Sequence, residues 1–152
     1  MKERLLQALR KDDDFLCALA TVDTDGRPHV RYVRATIRDD LTIFCPTFAS
    51  TQKVRDVGAC EHVSVTCGDT DSGVPGSYFQ IAGRAVVSRA PADRAAAWTP
   101  RLERWFSNPD DEAYAVVVVV PERIVALPIG GGPAAQVWER TEGSPPDTIS
   151  GS

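Results

Sequence analysis

The chain has no excess of positive charge, no long apolar run and no paired cysteine spacing. Its formal net charge is −4 over 152 residues. Nothing global therefore draws it to nucleic acid or to an anionic membrane, and any anion it binds must be held by a local cluster of cations. The longest apolar run, residues 115–120, is far too short to span a bilayer. The start, MKERLLQALRKDDDF, alternates charge with leucine and lacks the continuous apolar stretch of a signal peptide. A cytoplasmic location is the expectation. There the four cysteines, Cys17, Cys45, Cys60 and Cys67, read as reduced, buried, small hydrophobes in strand-like stretches. Cys60 and His62 fall on one strand face and Cys67 on the other, so no metal-ligand set is complete. No catalytic triad or carboxylate pair stands out, and no catalytic residue is nominated.

What is there is a succession of short strands. Residues 3–11 read as an amphipathic helix with Leu5, Leu6 and Leu9 as its stripe. Residues 15–22 and 28–38 flank Asp25-Gly26, a strong hairpin signal. A turn at Asp39-Asp40 leads to a third strand, 41–45, and then to a short helix capped at Ser50 or Thr51. Strand pattern returns over 61–67. A polar Gly/Pro loop, 68–76, separates it from a long strand, 77–89, with a bend expected at Gly83. Ala95, Trp98, Leu102 and Phe106 give the stripe of a second long helix over 91–106. Two last strands, 114–120 and 123–129, are expected to join at Pro121-Glu122. Short connections, dominant strands and the absence of βαβ repeats favour a mostly β fold, a six- to seven-stranded antiparallel barrel with peripheral helices. One domain, residues 1–140, is followed by a Ser/Gly/Pro-rich tail, 141–152, whose ordering would need a surface such as a second subunit.

Three stretches could carry chemistry. On the strand 28–38, His29, Arg31, Val33, Ala35 and Ile37 share one face and Val30, Tyr32, Arg34 and Thr36 the other. Arginines on a strand of a compact barrel ask for an anion or a carboxylate partner, unless they simply point to water. Around Thr47, Ser50, Thr51, Gln52 and Lys53, a strand end delivers hydroxyls and a lysine to a helix N-terminus, a natural anion site or an ordinary cap. It is not a P-loop, because the glycines and the Gly-Lys-Ser/Thr ending are missing. Gln80 sits between aromatic and aliphatic strand residues and offers a donor and an acceptor, to a heterocycle edge or to a neighbouring strand.

The order of these stretches resembles the FMN-binding split-barrel family, the pyridoxamine 5'-phosphate oxidase-like proteins, and within it the bacterial general stress protein branch. The residues that carry the likeness are Asp25-Gly26-Arg27-Pro28-His29-Val30-Arg31, then Thr51-Gln52-Lys53-Val54, then Gln80-Ile81-Ala82-Gly83-Arg84-Ala85. A late helix ending Trp105-Phe106, followed by Pro109-Asp110 and the strands after Tyr114, completes the set. The resemblance implies that Arg31, Tyr32, Val33 and Arg34 line a flavin. It implies that Thr47, Thr51 and Lys53, with Gln52 beside them, hold its phosphate and ribityl chain, and that Gln80 reaches the ring from a partner strand. Gln52 stands where the family often has an arginine, which would shift one phosphate contact to Arg31 or Arg34. The residues by which true pyridoxamine phosphate oxidases bind substrate are not recognisable.

The expected function is that of an FMN flavoprotein, an oxidoreductase acting on a small molecule from a homodimer with the flavin at the subunit interface. FAD, a deazaflavin or haem are the alternative ligands. A stress-response module that binds without turnover is the non-enzymatic alternative.

Overall fold

The computed structural model describes residues 1–68, 78–128, 132 and 136–141. Three α-helices and seven strands follow in the order α1 (Lys2–Leu9), β1 (Phe15–Val22), β2 (Pro28–Ile37), β3 (Ile43–Phe48), α2 (Gln52–Ala59), β4 (His62–Gly68), β5 (Tyr78–Ser88), α3 (Pro91–Ala97), β6 (Tyr114–Leu127) and β7 (Gln136–Glu139). Every pairing is antiparallel, in the order β3-β2-β1-β4-β5-β6-β7. A further β3–β6 pairing closes the first six into a barrel, and β7 lies outside it on β6. No helix among the described residues is long and apolar enough to cross a membrane.

The period-2 pattern decides what fills the barrel. Cys17 and Leu19 of β1, Val33, Ala35 and Ile37 of β2, Val63 and Val65 of β4, and Phe79 and Ile81 of β5 are buried in one interior cluster. Leu5 and Leu9 of α1 and Val57 of α2 pack into the same cluster. A second cluster lies outside the barrel wall, where Ala97, Leu102 and Phe106 cover Phe44, Tyr114, Val116 and Val118. The consecutive valines Val116–Val119 are wholly buried because β6 is packed on both faces, which explains a run without alternation. Cys17, Cys45 and Cys67 are buried free thiols and Cys60 is half-buried.

Four sequence expectations are corrected. The helix expected over 91–106 is two pieces: α3 ends at Ala97, and a 3₁₀ turn occupies Pro100–Arg104. Pro100 lacks the N–H that a continuing helix needs and pushes Thr99 into an extended conformation. The two strands expected at 114–120 and 123–129 are one strand, β6, which runs past Pro121 without reversing. The register jumps there, with Ala82 opposite Arg123 and Gly83 opposite Pro121, so Glu122 is the extra residue of a β-bulge. Ile129 lies outside the described residues. The third strand begins at Ile43 and continues past Cys45 to Phe48, because β6 offers partners for Pro46, Thr47 and Phe48. Finally, β7 was not expected as a strand. The loop 69–76 and all of the tail beyond Thr141 lie outside the described residues.

Candidate functional site

The barrel is split between β2 and β3. The two pair only through Thr36–Phe44 and Ile37–Ile43. Beyond that point β2 stays with β1 as far as Pro28, while β3 follows β6 as far as Phe48. Among the described residues the β2 edge before Thr36 has no partner strand on its β3 side. The fork holds a groove of about 330 Å³ lined by Tyr32, Val33, Arg34, Ala35 and Thr36 from β2 and by Pro46, Thr47 and Phe48 from β3. Lys53 of α2 lines it too, as do Ala97, Leu102, Trp105 and Phe106 behind β3, and Asp14, Thr99 and Arg101.

Lys53 and Thr47 form one polar part of this groove. The Lys53 ammonium donates to Thr47 Oγ1 at 2.7 Å, and Thr51 Oγ1 lies 3.1 Å from the same atom. Burial pushes the Lys53 pKa down, the Arg31 charge adds to that, and Cys45 opposes it weakly. An ammonium in this position gains from an anion. Thr51 is the N-cap of α2, yet its hydroxyl donates back to the Phe48 carbonyl at 3.0 Å and makes no cap bond. The first-turn N–H groups of α2 therefore have no side-chain acceptor of their own cap, beside the lysine.

Arg31 points into the end of the barrel. Its Nη1 donates to Thr21 Oγ1 at 2.7 Å and to the Leu19 carbonyl at 3.1 Å, and its Nη2 lies 3.6 Å from Asp56 Oδ2. Asp56 is 1% exposed and also accepts from Thr21 at 2.7 Å and from Gln52 at 2.7 Å. Burial alone would raise the Asp56 pKa. The hydrogen bonds of Thr21 and Gln52 and the charges of His29 and Arg31 outweigh it and hold the carboxyl below its usual range. Gln52 is thus turned along its own helix toward Asp56, not into the groove. His29 pairs with Asp23 in the hairpin at 2.9 Å.

Of the sequence-predicted site residues, Tyr32, Val33, Arg34, Thr47 and Lys53 line one groove, and Thr51 braces Thr47. Arg31 and Gln52 meet one layer away through Asp56. Gln80 lies elsewhere, exposed on the outer face of β5 opposite Thr66 and Val125. Sequence reasoning missed Asp14 and Arg101. Asp14 is 8% exposed and bridges Arg34 Nη1 at 3.2 Å and Arg101 Nε at 3.3 Å.

A closed antiparallel barrel, split at one seam to leave a groove with a lysine at a helix start, defines the split-barrel class of fold. The chain belongs to the pyridoxamine 5'-phosphate oxidase family, whose model matches residues 1–127. It is 31% identical over 130 residues to general stress protein 26 of Bacillus subtilis (strain 168), covering 86% of this chain and 90% of the relative. The crystal structure of general stress protein 26 from Bacillus anthracis str. Sterne superposes with a TM-score of 0.74 at 19% identity, covering 91% of this chain and 98% of that one. A putative pyridoxamine 5'-phosphate oxidase from Listeria innocua superposes with a TM-score of 0.67 at 25% identity, covering 81% and 94%. The same fold also occurs in a heme binding protein from Mycobacterium smegmatis, with a TM-score of 0.65 at 17% identity over 91% of this chain and 56% of that one. It occurs in an F420 reductase, with a TM-score of 0.58 at 19% identity over 78% and 94%.

Proposed function

We propose that the chain is an FMN-binding flavoprotein that carries out redox chemistry on a small molecule, with its flavin in the fork between β2 and β3. The observation that carries this reading is the pairing of a partly buried, charge-stressed Lys53 with Thr47 at a groove whose lining is largely apolar. Lys53, Thr47, Thr51 and the start of α2 have the donors to hold a phosphate. Tyr32, Val33 and Arg34 offer an unpaired strand edge and a side wall to a flat ring. The flavin supplies the electron transfer, and the protein's work is to bind, orient and shield it. Arg31 stiffens the floor through Asp56, and Trp105, Phe106 and Leu102 keep water from the apolar wall.

The reading includes a homodimer. Leu16, Val30 and Tyr32 are 50%, 68% and 77% exposed on the outer barrel face. Apolar side chains this exposed on one face suit a second copy. Membership of the family, together with Gln80 on that same face, supports this arrangement over burial by an unrelated partner.

The visible spectrum of freshly purified protein, and of protein mixed with FMN and desalted, tests the proposal. The expected result is a yellow protein with flavin bands in the near-UV and blue. A haem spectrum, or a colourless protein that retains no added FMN, would contradict it. A deazaflavin retained in preference to FMN would contradict the choice of flavin.

A further inference from the structure

Asp14, Arg34 and Arg101 come from three separate parts of the chain to one edge of the groove. Asp14 directly precedes β1, Arg34 stands on the outer face of β2, and Arg101 lies in the 3₁₀ turn after α3. The carboxylate is buried to 8% exposure, while the two guanidinium groups are 43% and 48% exposed. Each arginine gives Asp14 one donor, Nη1 of Arg34 to Oδ1 and Nε of Arg101 to Oδ2. A guanidinium has five N–H donors. Among the described residues no other acceptor takes those that remain. The rim thus carries one positive charge in excess, on a chain whose net charge is −4.

Below this rim the groove is aromatic and apolar. Tyr32, Phe48 and Trp105 stand 77%, 39% and 50% exposed along it. On the far side of the arginines lies a polar hollow lined by Asp12 and Asp13 as well as by Lys11 and Arg10. A planar body with a single carboxylate meets all three conditions: ring surface for the aromatics, fork geometry for the guanidiniums, and one negative charge for the excess.

We propose that Arg34 and Arg101, positioned by Asp14, form the substrate-recognition rim of the groove, and that the molecule taken beside the flavin is a planar carboxylate. This rests on the flavin reading above. It assigns to Arg101 and Asp14 a role that the sequence did not suggest.

Benzoate and its neutral isostere benzamide are the probes, titrated by calorimetry into the purified protein with and without FMN at low salt. FMN affinity is read separately by flavin fluorescence, so a failure to bind FMN counts against the flavin reading alone. The expected result is benzoate bound at least about tenfold more tightly than benzamide, the gain typical of a charge-assisted hydrogen bond. Arg101→Gln is expected to bring that ratio to about one, and Arg101→Lys to restore only part of it, since the fork is lost. Should the single variant not fold, the triple variant Asp14→Asn, Arg34→Gln, Arg101→Gln keeps the test open, because it removes all three charges of the rim and leaves no buried carboxylate without its partners. It too is expected to lose the preference. Equal affinity for benzoate and benzamide in the wild type, or an undiminished preference in a folded Arg101 variant, would overturn the proposal.

Discussion

Tyr32 and Gln80 lie in one register row across the outer face of the barrel. The row runs Tyr32–Ala18–Thr66–Gln80 over β2, β1, β4 and β5. Three strand spacings separate its ends, about 14 Å. Gln80 therefore does not reach the groove of its own chain, but a second copy packed on this face would carry its Gln80 toward it. The account expects a dimer at micromolar concentration by sedimentation. Val30→Glu, which places a charge on the same face, is expected to yield a folded monomer with weakened FMN binding. A wild type that sediments as a monomer would remove the partner from the account.

Gly83 faces the backbone of β6 at the bulge. A Cβ built there would lie 2.5 Å from the Val120 carbonyl oxygen and 3.1 Å from Pro121 Cα. Backbone atoms in a paired strand cannot rotate aside as a side chain would. Gly83→Ala should cost about 1–3 kcal/mol, lowering the melting temperature by roughly 2–4 °C per kcal/mol. Calorimetry that shows an unchanged melting temperature would mean the bulge adapts freely.

Asp56 gives the fold a dependence on acid. Its carboxyl is held below the usual range because hydrogen bonds from Thr21 and Gln52 and the nearby cations outweigh burial. A carboxylate of this kind stabilises the fold above its unfolded pKa of about 3.9, and the contribution is lost as pH falls through the lower folded value. Thr21→Val removes one of those bonds while keeping the side-chain volume. It is expected to lower stability at pH 7 by about 1.5–3 kcal/mol. The deficit should shrink once the carboxyl is protonated in both states. Urea unfolding across that range checks this, and a deficit that stays constant would show that Asp56 does not set the acid response.

The thiols are expected to react in two classes. Burial and neighbouring thiols push the pKa of Cys45 up, led by its contact with Cys17, and burial does the same for Cys67. The thiolate is the nucleophile. Iodoacetamide on the native protein should label Cys60 first and Cys17, Cys45 and Cys67 only after unfolding, as read by mass spectrometry. Rapid labelling of the buried three would show that the barrel opens far more readily than its packing implies.

Much of the barrel was legible in the sequence because its signals are local. Asp25-Gly26 marks the first hairpin, and alternation assigns the inward face of β2 correctly, with Val33, Ala35 and Ile37 buried. Thr47 and Lys53, six residues apart, share one groove because a strand end and a helix start meet there. The errors arose where tertiary contact overrides local pattern. Apolar spacing ran through Pro100 as if the helix continued. Pro121-Glu122 looked like a turn, although only the unbroken pairing with β5 shows a bulge. β7 has four residues and little burial, so its order depends on the free edge of β6. Asp14 sits in a run of three aspartates that reads as a solvated patch. Its partners are 20 and 87 residues away, beyond any local signal.

The central claim is that Lys53 holds the phosphate of a bound FMN. A flavin-fluorescence titration of wild type and Lys53→Ala with both FMN and riboflavin tests it most directly, because riboflavin shares the ring and lacks the phosphate. A hydrogen bond between charged groups contributes roughly 1.5–3 kcal/mol. The account therefore predicts that the variant binds FMN about ten- to a hundredfold more weakly, with riboflavin affinity unchanged. Equal losses for the two ligands, or no loss for either, would contradict it.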